Sequence, residues 1–265
     1  MTRKFVALIG LLVAVSLFSV TSSSQEADVG DKNEVIVLGM IHSGHKTSEA
    51  YSLDYLRKVI EEIEPDYVLT EIPPDRLAEA AAGFAKTGEV TEDRVRVFPE
   101  YVDVLFPLTK TMDFSIIPTA GWTRGMANYR REALNRLSED PERAEDWAAY
   151  EAGFASMNEQ LAGRRDDPFF IHTDEYDAIT KEGFHPYATR FADDLGRGDW
   201  ERINAAHYLL IEAALLHHQY EGKRLLITYG AAHKYWFLEH LRQRDDIILL
   251  DPIPFLQNAK GEQGQ

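Results

Sequence analysis

A polar stretch from Glu26 to Asn33 gives way at Val35 to a continuous apolar run ending at Met40, the pattern of a strand covered on both faces. Its neighbour has a different period. From Ser48, which can cap a helix, Leu53, Leu56, Ile60 and Ile63 recur at steps of three and four, so one apolar stripe faces a core until Pro65 stops it. A second short apolar run, Tyr67 to Ile72, follows at once. Strand, helix and strand in so short a span form a βαβ unit, whose crossover predicts parallel strands with a right-handed connection.

Asp113 to Ile117 reads as a weaker third strand, closed by Pro118. The last third repeats the opening pattern, with a helix from Trp200 to Tyr220, a strand from Arg224 to Tyr229, a helix from Lys234 to Arg242 and a strand from Asp246 to Leu250. Between these blocks Arg76 to Arg197 is mostly helical and acidic, punctuated by Asp167-Pro168-Phe169-Phe170 and Phe184-His185-Pro186-Tyr187. Such an insertion predicts extra helical packing, or a lid over a site. The fold class expected is therefore α/β, a parallel or mostly parallel sheet flanked by helices. It occupies one domain over 35–255, with a helical insertion at 76–197 and a polar tail at 256–265.

The first residues have a different character. Thr2-Arg3-Lys4, the apolar Phe5 to Val20 and the small polar Thr21 to Ser24 follow the three-part layout of a secretory signal peptide. This predicts removal of 1–24, a linker at 25–34 and a periplasmic or extracellular protein, with no integral membrane segment after leader removal. A net charge of −16 argues against a nucleic-acid partner and against docking on anionic lipid, leaving a small-molecule or peptide substrate as the expected partner. With no cysteine there is no disulfide, thiolate site or cysteine nucleophile, so any metal must sit on His, Asp or Glu.

Candidate chemistry collects at strand ends. The first strand leaves through Gly39-Met40-Ile41-His42, and the strand at Arg224 leaves through Gly230-Ala231-Ala232-His233. In an open parallel sheet the carboxyl ends share one edge, where ligands bind, so His42 and His233 should converge there. Glu71 ends the middle strand at the same edge. Arg76 falls in the next helix's first turn, where a cation wants an anionic partner: Glu71, a substrate carboxylate or a surface acid.

Two imidazoles and a carboxylate suit a divalent metal ion with an open position for water, held by His42, Glu71 and His233. The same three residues suit metal-free hydrolysis, with Glu71 or a histidine as general base. A non-catalytic protein that captures a metal, haem or small ligand in the crevice is the reading from another class. His45, three residues after His42, reads as loop decoration or as a further ligand. On the long helix, Asn204 heads a buried stripe and needs partners, while Arg202 heads a second, and both are candidates for positioning substrate. His207, His217 and His218 read as packing or surface residues.

These residues resemble the TraB, GumN and Tiki superfamily, related to erythromycin esterase-like and ChaN-like proteins. The resemblance rests on Gly39-x-x-His42, Ser48-Glu49 opening a helix, Pro65-Asp66, the Glu71 to Arg76 spacing, Glu201-Arg202 and Gly230-x-x-His233. It covers about half of the mature chain and omits the acidic middle. It implies an α/β core with an edge site and, for the Tiki branch, a metal-dependent peptidase using both histidines and the glutamate. The esterase branch implies a metal-independent use of a similar set, and the ChaN-like branch implies haem or iron binding. Ile41 before the first histidine, Pro73-Pro74 after Glu71 and Asn204 in place of a frequent acid depart from the commoner pattern.

Overall fold

The computed structural model describes residues 30–261; the leader expected at 1–24 lies outside the described residues. Five strands, β1 (Asn33–Met40), β2 (Tyr67–Thr70), β3 (Ser115–Pro118), β4 (Arg224–Gly230) and β5 (Ile247–Leu250), form one all-parallel sheet in the order β3-β2-β4-β1-β5. Helices of eight residues or more are α1 (Leu53–Ile63), α2 (Pro74–Thr87), α3 (Arg124–Glu139), α4 (Ala144–Gln160), α5 (Asp174–Arg190), α6 (Trp200–His217), α7 (Lys234–Leu241) and α8 (Ile253–Gly261). The chain is thus α/β, as the hydrophobic pattern predicts.

Alternation in β1 explains why its apolar run is unbroken. Ile36, Leu38 and Met40 face one core with α1, while Val35 and Val37 face a second with α6 and α7, so both faces are dry. Ser52, rather than Ser48, caps α1 by accepting the Tyr55 N–H, because Ser48 is engaged one turn earlier with the Tyr51 N–H.

β1 and β2 are parallel but do not touch. The late strand β4 lies between them, with Met40 level with Gly230 and Thr70 level with Thr228. This register brings the exits of β1, β2 and β4 together. Asp66 pins the far end, accepting from the Arg224 backbone N–H and the Lys223 ammonium, both at 2.8 Å.

The acidic middle segment contributes β3 to the sheet edge and packs helices on it. Tyr187, Phe191 and Leu195 join the second core, and Trp147, Tyr150 and Phe154 stack behind them. The segment read as a polar tail is a correction: α8 spans Ile253–Gly261 and buries Leu256 and Ala259 against α1. Tyr55 donates its hydroxyl to Leu256 O at 2.6 Å, an anchor that polar composition conceals. Similarly, residues 33 and 34 of the expected linker already belong to β1.

Candidate active site

The β1 exit turns sharply. His42 adopts φ 49°, a left-handed conformation that costs a non-glycine residue about 1–2 kcal/mol. Its ring points back across β4. The approach is so close that a Cβ on Gly230 would lie 2.6 Å from His42 Nε2, which is why a side chain is absent there. His42 Nδ1–H donates to Glu100 Oε1 at 2.6 Å, and Nε2 lies 3.9 Å from Glu71 Oε2.

Glu100 begins a π-helical turn, Glu100–Leu105, and is 1% exposed. No strand-end motif marks it. The available signal is a lone acid inside the apolar run Val97 to Val102, broken otherwise only by Pro99. Tyr101 beside it accepts the Glu71 backbone N–H at 2.8 Å and donates to Thr228 O at 2.9 Å, tying the β2 exit to β4. Burial works against charge on His42, but the hydrogen bond and charge of Glu100, with Glu71, outweigh it and raise the pKa above the usual histidine value. Burial also raises the pKa of Glu71, opposed by His42 and by the Gly230 N–H, which donates to Oε2 at 3.2 Å.

His233 ends the short turn Ala231–His233 and stacks on Trp200, centroids 4.8 Å apart and planes 20° apart. Its Nδ1–H donates to Asn204 Oδ1 at 2.6 Å, while the Asn204 amide donates to Trp200 O. Asn204 is 0% exposed and orients the imidazole, leaving the Nε2 lone pair free. Burial, then the charges of His207, His42 and Arg130, push the His233 pKa well below normal.

His207, read from sequence as packing or surface, is indeed fully buried, but one of its nitrogens joins this edge. Glu71, His207 and His233 each offer a potential ligand atom within 4.8 Å of one another. Hydrogen bonding divides that group. The Gly121 N–H donates to His207 Nδ1 at 2.8 Å, so the neutral ring carries its hydrogen on Nε2 and presents a donor there. That approach needs Gly121, whose added Cβ would meet Ala206 at 2.6 Å. Burial lowers the His207 pKa to about 3, and Nε2 has no protein partner. Glu71 and His233 fit an ion as they stand, and the third residue with a ligand atom within 4.8 Å of both is His207, while His42 Nε2 lies 3.9 Å from Glu71. His207 fits only if its bond to Gly121 breaks.

The edge opens into a cavity of about 880 Å³. His42 and His233 line it, with Trp122, Tyr176, Phe184 and Trp200 among its walls. Two arginines expected to position substrate, Arg76 and Arg202, lie away from this cavity. Arg76 pairs with Asp75 at 3.0 Å and with buried Glu92 at 3.7 Å, and does not line the cavity. Arg202 donates to Ala192 O and Gly196 O and pairs with Asp199 at 3.1 Å, closing the turn before α6. The arginines that do line the cavity are Arg130 and Arg165. His45 spends both ring nitrogens on its own loop, with Tyr51 O and the Ile41 N–H. His217 and His218 meet edge to face at the C-terminal end of α6.

No protein-family model matches this chain, and no curated protein or solved structure matches it.

Proposed function

We propose that the chain is a hydrolase of the kind its resemblance to the TraB, GumN and Tiki proteins implies, activating water at the strand-end edge for attack on an ester or amide carbonyl. The observation that carries this reading is the His42–Glu100 pair. A buried carboxylate fixes the tautomer of an imidazole whose ring lines a substrate-sized cavity, the arrangement of a general base and its orienting group. In this reading His42 Nε2 takes the proton of the attacking water. Glu71, buried and with its pKa raised, is the second group able to exchange a proton there, and His207 Nε2–H is a fixed donor for oxygen.

In the metal-assisted form of this reading Glu71 and His233, with His42 as a ligand instead of a base, would hold a divalent ion, which when bound would polarise the carbonyl and acidify bound water. The orienting partners of both imidazoles suit that role as well as metal-free catalysis. We read the leader-like start as an export signal, placing the mature protein outside the cytoplasm.

The test is a screen of ester and peptide libraries with elemental analysis of the same protein. His42→Gln should lower kcat/KM by about 10²–10⁴. Activity lost to a chelator, with near-stoichiometric ion lost in Glu71→Gln, assigns the metal-assisted route, whereas activity indifferent to chelator assigns the metal-free one. Absence of turnover across both libraries with ordered, leader-free protein sinks the hydrolase reading.

A further inference from the structure

The cavity's charge is opposite in sign to that of the chain. The whole sequence carries −16, yet the charged residues lining the cavity are two arginines, Arg130 and Arg165, and one acid, Asp166. Charges separated across solvent by more than about 8–10 Å are screened, so residues on the lining weigh most in what binds.

Arg130 lies half-buried on α3 with no carboxylate within salt-bridge distance among the described residues. Its guanidinium sits over the rings of Trp122 and Tyr187, 5.8 and 5.5 Å from their centroids. Nε–H donates to the Tyr187 hydroxyl at 2.5 Å, and among the described residues no other hydrogen bond to protein uses the remaining N–H groups. Its position is constrained from below: a Cβ on Gly198 would meet Arg130 Cβ at 3.1 Å and Trp122 at 3.4 Å. Arg130 lines the same cavity as His42 and His233. By contrast, Arg165 donates to Asn158 and has Asp166 as its chain neighbour.

A guanidinium beside two aromatic rings, with its Nη groups unused by the protein among the described residues, matches a planar anion. Around it the wall is apolar and aromatic. We propose that the cavity binds an amphipathic substrate whose single carboxylate pairs with Arg130 while an aromatic or otherwise apolar body lies on Trp122, Phe184 and Trp200. This deepens the hydrolase reading by naming the substrate class, and it concerns binding rather than turnover. One anion suffices for this pairing; a polyanion would still be repelled by the acidic surface.

The test is calorimetric titration of the leader-free protein with 2-naphthoate and with 2-naphthamide, which share a ring system and differ in charge. Naphthoate should bind about tenfold or more tightly than naphthamide, the discrimination expected of one charge-assisted pair. Arg130→Gln should abolish that preference while keeping the naphthamide affinity, which also shows that the cavity is intact, and Arg130→Lys should retain part of the preference. Equal affinities in the unaltered protein, no binding of either probe, or a preference surviving Arg130→Gln and lost in Arg165→Gln each overturn the proposal. Naphthoate bound through Arg130 by a chain that hydrolyses nothing would overturn the hydrolase reading alone. Hydrolysis of neutral esters with equal binding of the two probes would overturn only the carboxylate pairing.

Discussion

His42 and His233 leave strands β1 and β4, which pair side by side, through the same Gly-x-x-His spacing, but the fold gives their rings opposite acid–base character. His42 has 36% of its side chain exposed and donates to a carboxylate, Glu100; His233 is stacked between aromatic rings and donates to a neutral amide, Asn204. One ring has its pKa raised, the other well lowered. Both partners fix a tautomer, yet only the carboxylate also stabilises a charged ring. Two copies of a local motif thus become a more basic ring and a less basic one, through residues 58 and 29 positions away in sequence.

The strongest way to break this contrast is Glu100→Gln, which keeps shape and removes charge. We expect kcat/KM to fall by about 10²–10⁴ and the pH limb of the remaining activity to move to lower pH, since a general base works when neutral and loss of Glu100 lowers the His42 pKa. An unchanged pH profile would mean that the carboxylate does not govern His42. Next in size is Gly230→Ala. Its new methyl group would sit 2.6 Å from His42 Nε2 and displace the ring, for an expected loss of about 100-fold in kcat/KM, the cost of an ångström-scale misplacement, read beside a thermal melt that reports folding.

Asn204→Asp sharpens the comparison by giving His233 a carboxylate of its own. The His233 pKa should rise, followed by NMR titration, and the two rings should become more alike; a ring that still fails to titrate near neutral pH would show that burial outweighs the partner. The smallest effect concerns His172, which accepts the Gly39 N–H at 2.9 Å at the base of the first turn. Burial holds its pKa at about 3 against 6.5, so the unfolded chain binds more protons between those values. Its contribution is complete above pH 6.5 and fades as pH falls toward 3, so His172→Gln should flatten the acid side of the stability curve measured by urea unfolding. The His42 pair acts in the other direction: its raised pKa adds stability below pH 6.5 that is lost as pH rises through the folded value.

The cavity shows the limit of sequence reading. Arg76 and Arg202 stand out by their positions in first helical turns, yet local acids and carbonyls satisfy them. Arg130 has no such signature on α3, and only the fold, which sets it beside Trp122 and Tyr187 of α5, makes it part of a wall. His207 had a faint one, lying four residues from both Ile203 and Ile211 on the buried face of α6.

Periodicity and turn chemistry alone determined where the five strands and helices α1, α6 and α7 run, that the sheet is parallel, and that His42, Glu71 and His233 stand at strand ends, because each depends on residues a few positions apart. Tertiary structure decided that β4 enters between β1 and β2, that Glu100 and Asn204 face the two imidazoles, and that α8 closes the core. Those outcomes depend on pairings between distant segments, set by how buried surfaces and hydrogen bonds close together across the whole chain.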